Sequence, residues 1–244
     1  MQESTKLIAI VGGSGAGKTW LARHLEQELE PTASCLSLDD FYRDHSQLPA
    51  RDRAFLNFDH PEAIDWERFA AALQDCRAGR ATHLPRYDFA THTRVPPDVL
   101  FLPSSVVIVE GLWLLVHTQV RTLFDFSIYL ECPQELRLDR RLKRDVVERG
   151  RDPLTIQQQF WRDVAPMHDH FVAPQSSAAD IILNQPTQGE IQNLAATIRL
   201  LLWEKSALQT ANFPSSPNDI TRTATFATIA SAAKTTTTSL PYSA

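Results

Sequence analysis

The chain has only three cysteines in 244 residues, Cys35, Cys76 and Cys132, widely separated and without a C-x-x-C pair. That excludes a disulfide framework and a cysteine zinc site, and it suits buried filler thiols in a reducing compartment. Long apolar runs are missing too. The first, Leu7 to Val11, is far shorter than the roughly 20 residues of a membrane-spanning helix, and no signal-peptide pattern is present. A cytoplasmic protein without a membrane partner is expected. Positive charge is in deficit, with 24 Lys and Arg against 29 Asp and Glu for a formal net charge of −5. Non-specific nucleic-acid binding needs a basic surface that releases counterions, so no nucleic-acid partner is expected.

Glycine is scarce at eight residues, yet it concentrates in the run Gly12-Gly13-Ser14-Gly15-Ala16-Gly17-Lys18-Thr19. This run follows the strand-like Leu7 to Val11 and precedes the helix-like Trp20 to Glu30. Glycines let successive backbone N–H groups curl around an anion, and a following helix N-terminus adds its positive dipole end. In the pattern G-x-x-x-x-G-K-T the lysine, Lys18, reaches the β- and γ-phosphates and the Thr19 hydroxyl binds Mg²⁺. The chain is expected to bind a nucleoside triphosphate, and this motif alone does not separate kinase from GTPase or motor.

Further apolar runs recur at Ser34 to Leu38, Val106 to Val109, Phe126 to Leu130 and Ile181 to Leu183. Helix-like stretches fall among them at Asp65 to Cys76, Pro133 to Arg149, Thr155 to Val164 and Gly189 to Glu204. The alternation predicts an α/β fold with a parallel sheet flanked by helices. One domain over residues 1–210 is the simplest division at this length. Residues 79–103, broken by Pro85, Pro96, Pro97 and Pro103, read as an excursion of short strands and loops suited to substrate recognition. Residues 211–244 are rich in Thr, Ala and Ser and read as a disordered tail.

In such sheets ligands bind beyond the carboxyl ends of the strands. Glu110 ends the run Val106 to Val109, where an acidic residue can support Mg²⁺, although Asp is the usual residue there. Asp39 and Asp40 follow the Ser34 to Leu38 run. Either could accept a proton from an attacking hydroxyl or cap a helix; one division has Asp39 as base and Asp40 as cap. Residues 137–152 carry a dense set of arginines. Arg137, Arg141 and Arg144 share a helix face, and Glu135, Asp139, Asp145 and Glu148 could pair with them as an ordinary solvated helix. Gly150 leaves Arg149 and Arg151 at a corner that could close on triphosphate oxygens as an Arg-rich lid, excluding water.

Taken in order, G-G-S-G-A-G-K-T at 12–19, D-D-F-Y at 39–42, N-F-D-H-P at 57–61, Y-D-F-A-T-H-T-R at 87–94, V-E-G at 109–111 and R-R-L-K-R-D-V-V-E-R-G-R-D at 140–152 resemble the uridine (uridine-cytidine) kinases, close to phosphoribulokinase among the P-loop kinases. The resemblance covers about residues 5–186. It implies ATP-dependent phosphorylation of the 5′-hydroxyl of uridine and cytidine, with GTP left open as a donor. It implies further that Asp39 is the general base, that Thr19, Glu110 and Asp39 hold Mg²⁺, and that Lys18, Arg144, Arg149 and Arg151 serve the phosphates. Asp59, Arg141 and Gln159 would meet the ribose, Tyr87 and His92 the base edge, and Tyr42, Phe58 and Phe89 the acceptor pocket. A homo-oligomer, often a tetramer, is also implied. Two departures stand out: Asp40 replaces the serine of the usual D-S-F-Y, and an extra carboxylate there could raise the pKa of Asp39; and the tail lies outside the match. The alternatives are a phosphoribulokinase-like or other small-molecule kinase, or a nucleotide-binding regulatory pseudokinase. A GTPase is disfavoured, since N-K-x-D and D-x-x-G motifs are absent.

Overall fold

The strand β1 (Lys6–Gly12) is buried at every position, as a continuous apolar run must be when both sheet faces are covered. It pairs in parallel with β7 (Val106–Gly111) and β8 (Phe126–Glu131). Beyond them lie β2 (Ala33–Ser37) and β9 (Ile181–Asn184), giving the order β2-β7-β1-β8-β9 with every pair parallel. This computed structural model describes residues 5–53 and 56–210; the proposed tail, 211–244, lies outside them.

Parallel neighbours need crossovers, and helices supply them. They are α1 (Lys18–Glu28), the one-turn α2 (Ala50–Arg53), α3 (Trp66–Arg77), the one-turn α4 (Thr118–Arg121) and α5 (Gln134–Arg149). The first buries Leu21, Ala22 and Leu25. Asp65 caps α3 through the Arg68 N–H, so the carboxylate starts that helix rather than joining it. At its other end α5 stops on Gly150, left-handed at φ 61°, where glycine carries no Cβ penalty. After α6 (Pro153–Gln159) the expected helix does not end at Val164. It continues through a π-turn at Phe160–Val164, α7 (Ala165–Met167), a second π-turn at His168–Val172 and a 3₁₀ segment to Ala178. The widened turns re-aim successive side chains in a way that a 3.6-residue period cannot foretell.

Alternate residues of the central strands, Leu7, Ala9 and Val11 with Val107 and Val109, pack on one face against Phe41, Phe69 and Trp113. Residues 79–103 form the expected excursion: β3 (Thr82–Leu84) pairs antiparallel with β6 (Val99–Phe101), and β4 (Tyr87–Asp88) with β5 (Thr93–Arg94). The chain divides into compact units at Gln192/Asn193, within α8 (Gln188–Thr210). The first unit contains the sheet and everything described below. Among the described residues no helix is long and apolar enough to cross a membrane. Cys76 and Cys132 are buried, whereas Cys35 is only half-buried.

Candidate active site

The carboxyl ends of β1, β2 and β7 open onto a cavity of about 550 Å³. Between β1 and α1 the glycine run turns on itself, with the Ala16 N–H donating to the Gly13 carbonyl at 3.0 Å. Gly15 and Gly17 take φ of 80° and 101°, a region that side chains with a Cβ rarely adopt. At Gly15 a Cβ would stand 2.3 Å from the Arg137 carbonyl oxygen, so the loop's close approach to α5 requires glycine as well. Gly17 precedes α1 and no side chain caps the helix. Its first N–H groups therefore remain for an anion. Lys18 folds back onto the Gly13 carbonyl at 3.1 Å. Burial lowers the Lys18 pKa, while the Glu110 and Asp39 charges oppose that shift.

Oxygen ligands gather beside the lysine. The Thr19 hydroxyl donates to Glu110 Oε1 at 3.1 Å, and the Ser37 hydroxyl to the same oxygen at 2.8 Å. Glu110 is buried, which pushes its pKa up against the pull of Lys18. Asp39 lines the same cavity. Among the described residues no group of three or more His, Cys, Asp or Glu side chains forms a metal cage. A hydroxyl and two carboxylates suit Mg²⁺ all the same, because that ion is usually held by one or two carboxylates together with substrate phosphates. The donor set is all oxygen and fits the ion. Asp40 is not a helix cap, contrary to one expectation. Ser37 occupies that place, its side chain accepting from the Asp39 N–H at 3.3 Å, because the turn begins one residue before Leu38. Asp40 has its pKa pushed up to about 6 by burial and then by the Asp39 and Glu110 charges.

Opposite the loop, Asp59 is buried beside Arg141, with Arg141 Nη1 at 3.9 Å and Gln159 Nε2 at 3.5 Å. Burial raises its pKa and Arg141 opposes the rise. Arg141 also donates to Ser14 Oγ at 2.9 Å and to Gln159 Oε1 at 3.2 Å, tying this wall to the phosphate loop. An aromatic wall adjoins it. Tyr42 lies 5.1 Å from Tyr87 and 5.8 Å from Phe89 between ring centroids, and His92 stacks on Phe58 at 4.0 Å and 7°. The Tyr42 hydroxyl is used by the Phe58 carbonyl at 3.0 Å. Tyr87 Oη and His92 Nδ1 are buried without a hydrogen-bond partner among the described residues. Burial and then the Arg151 and Arg149 charges lower the His92 pKa, so the ring is neutral at pH 7.

The arginine corner is organised by one carboxylate. Asp145 is fully buried and meets Arg144 at 2.7 Å, Arg151 at 3.2 Å, and Arg141 and Arg149 at 3.6 Å. Arg149 also lies over the Phe89 ring at 4.4 Å, and Arg151 donates to Gln159 Oε1 at 2.7 Å. The surface-helix reading thus fails for these four side chains. It holds for Lys143, which pairs with Asp139 on the exposed face.

Every expected site residue beyond the loop backbone lines the cavity: Ser14, Lys18, Thr19, Asp39, Tyr42, Phe58, Asp59, Tyr87, Phe89, His92, Glu110, Arg141, Arg144, Arg149, Arg151 and Gln159. Gly12, Gly13, Gly15, Ala16 and Gly17 form the loop behind it. Sequence reasoning missed Ser37, the Arg162–Asp163 pair at the rim and the hub role of Asp145. Helical spacing had marked Asp145 as a possible arginine partner, but nothing local signals that four arginines converge on it.

Comparison with known proteins identifies the family. Residues 7–192 match the model of the phosphoribulokinase / uridine kinase family. A uridine kinase of Halobacterium salinarum is 37% identical over 187 residues, 77% of this chain and 83% of that protein. One from Staphylococcus haemolyticus is 39% identical over 74% of this chain and 87% of its own. Among solved structures, a putative fructose transport system kinase from Silicibacter sp. superposes with TM-score 0.60 at 24% identity, covering 75% of this chain and 91% of that one. The phosphoribulokinase from Rhodobacter spheroides superposes at 0.56 and 16% identity, over 75% of this chain and 71% of its own. At those identities the likeness speaks for the P-loop kinase fold alone. The family match over most of the chain, together with the sequence identity to curated relatives, places this protein in the phosphoribulokinase / uridine kinase family of phosphotransferases.

Proposed function

We propose that the protein transfers the γ-phosphoryl group of ATP to the 5′-hydroxyl of uridine and cytidine. The observation that carries this reading is the convergence on one cavity of a phosphate loop, the carboxylates Asp39 and Glu110, and an acceptor wall of Asp59, Tyr87 and His92. The curated relatives are named uridine kinases, which supports a nucleoside acceptor.

Phosphoryl transfer is catalysed mainly by alignment and by stabilising charge on the transferred oxygens. The phosphate loop and Lys18 hold the donor, and Thr19, Glu110 and Asp39 would hold Mg²⁺. When bound, that ion neutralises phosphate charge. Asp39 accepts the proton of the attacking hydroxyl, a role worth about 10²–10⁴ in rate. Asp59 accepts hydrogen bonds from the ribose hydroxyls, with Arg141 and Gln159 fixing its orientation. A deoxyribonucleoside leaves that buried carboxylate short of partners, so ribonucleosides are preferred. Neutral His92 offers either a ring N–H or a bare nitrogen by choice of tautomer, which accommodates the 4-oxo group of uridine or the 4-amino group of cytidine. Arg144, Arg149 and Arg151 close over the donor and exclude water.

The test is ADP release from Mg-ATP with uridine, cytidine, deoxycytidine and ribulose 5-phosphate, in the parent and in Asp39→Asn. Turnover with the two ribonucleosides that falls about 10²-fold or more in the variant, while ATP still binds, is expected. Turnover with ribulose 5-phosphate alone would overturn the nucleoside assignment, and an unimpaired variant would remove Asp39 as base.

A further inference from the structure

Directly behind the phosphate loop lies a buried positive charge that forms no ion pair with a carboxylate among the described residues. Arg137, in the first turn of α5, is 2% exposed. Its Nε donates to the Cys132 carbonyl at 3.3 Å, and its guanidinium stands 5.9 Å from the Phe160 ring centroid. Nη1 is buried without an acceptor, and Arg137 makes no ion pair with any of the described residues. Tyr129 and Cys132 are uncharged near pH 7, and the Asp169 and Glu135 carboxylates favour the charge without forming an ion pair with it. His168, on the same side, is pushed down to about 4 by burial and then by the Arg137 charge, so it stays neutral.

The guanidinium nevertheless faces the loop. A Cβ on Gly13 would stand 2.7 Å from Arg137 Nη1 and 2.9 Å from His168 Nδ1, so both side chains touch the Gly13 backbone. The Arg137 charge also acts on Lys18, lowering its pKa. A desolvated guanidinium without a partner is costly, and a second cation close by adds to that cost. A polyanion seated in the loop relieves both.

We infer that Arg137 is a positioning residue of the donor site, which backs the Gly13 turn from behind and has as its counter-ion the polyphosphate chain of the bound nucleoside triphosphate. This rests on the donor site proposed above. Its distinctive consequence is that the ligand-free protein gains nothing from the charge, whereas binding depends on it.

The experiment compares parent, Arg137→Gln and Arg137→Lys by calorimetric titration with Mg-ATP, ADP and adenosine, and by melting temperature without ligand. Arg137→Gln should melt at or above the parent temperature. It should bind Mg-ATP about ten-fold more weakly, ADP with a smaller loss and adenosine with none, while Arg137→Lys stays close to the parent. An Arg137→Gln variant that melts lower or fails to fold, yet binds Mg-ATP as tightly per folded molecule, would make Arg137 a packing residue and overturn the inference. Equal loss in Arg137→Lys would overturn the role of charge. Failure of the parent itself to bind Mg-ATP would overturn the donor site, and the inference with it.

Discussion

Replacing Asp145 with asparagine keeps the shape of the arginine hub and removes its charge. In the parent one fully buried carboxylate serves Arg144, Arg151, Arg141 and Arg149 at 2.7, 3.2, 3.6 and 3.6 Å. Removing one member of a buried ion pair costs about 3–5 kcal/mol because the partner stays buried and uncompensated. Here Arg144 and Arg151 are 33% and 30% exposed, so water recovers part of the loss. Asparagine also retains one acceptor oxygen. The expected cost is therefore at the lower end, about 3 kcal/mol, or a fall in Tm of roughly 6–12 °C for a protein of this size. Function should suffer separately. Guanidinium groups displaced by about 1 Å from the donor phosphates can cost on the order of 10² in kcat. Triphosphate should supply some of the missing negative charge, so the rise in Tm on adding Mg-ATP is larger in the variant than in the parent.

The pH dependence has a defined sign. Burial raises the Asp145 pKa, but Arg144, Arg149 and Arg141 outweigh it, and the folded value lies below the ordinary 3.8. A depressed acid pKa stabilises fully above the unfolded value and is lost as pH falls through the folded one. The difference in stability between parent and variant should hold steady above pH 5 and narrow below about 3.8. Thermal melts across this range with and without Mg-ATP, together with steady-state kcat, test the reasoning. A Tm within 1–2 °C of the parent, well below the shift expected, with kcat unchanged would refute it.

Three further outcomes follow from the same geometry. Gly15→Ala places a Cβ against the Arg137 carbonyl oxygen at a φ of 80°; the strain should cost about 1–3 kcal/mol, and titration should show loss of ATP binding. His168, pushed down to about 4, binds its proton more readily in the unfolded chain, so stability should fall as pH drops from 6.5 towards 4, and His168→Gln should flatten that slope in pH-resolved melts. Asp40 has the opposite sign. Its folded pKa of about 6 lies above the ordinary 3.8, so its contribution turns unfavourable as pH rises through that window. Asp40→Asn should therefore raise Tm at pH 7.5 more than at pH 4.5, and equal shifts at both would refute the assignment.

The phosphate loop, the parallel sheet, Asp39 and Glu110 were legible in the chain because their causes are local, whereas Asp59, Tyr87 and His92 were named only through the family resemblance. A glycine run between an apolar strand and a helix has few other uses, and buried parallel strands read as continuous apolar runs. Chemistry-bearing residues placed just after strands β2 and β7 follow from the geometry of an open parallel sheet. Other features depend on which distant segments meet. Ser37 serves Glu110 across β2 and β7, and it caps the turn that a reading of Asp40 alone had assigned elsewhere. The π-turns at Phe160–Val164 and His168–Val172 bring His168 against Gly13, a contact no helical period encodes. Arg137 and Arg141 lie four residues apart on one helix and look alike in sequence. Only packing left Arg137 without an ion pair among the described residues and gave Arg141 two carboxylates, because the pairing of a buried charge is set by its neighbours in space and not by its neighbours in the chain.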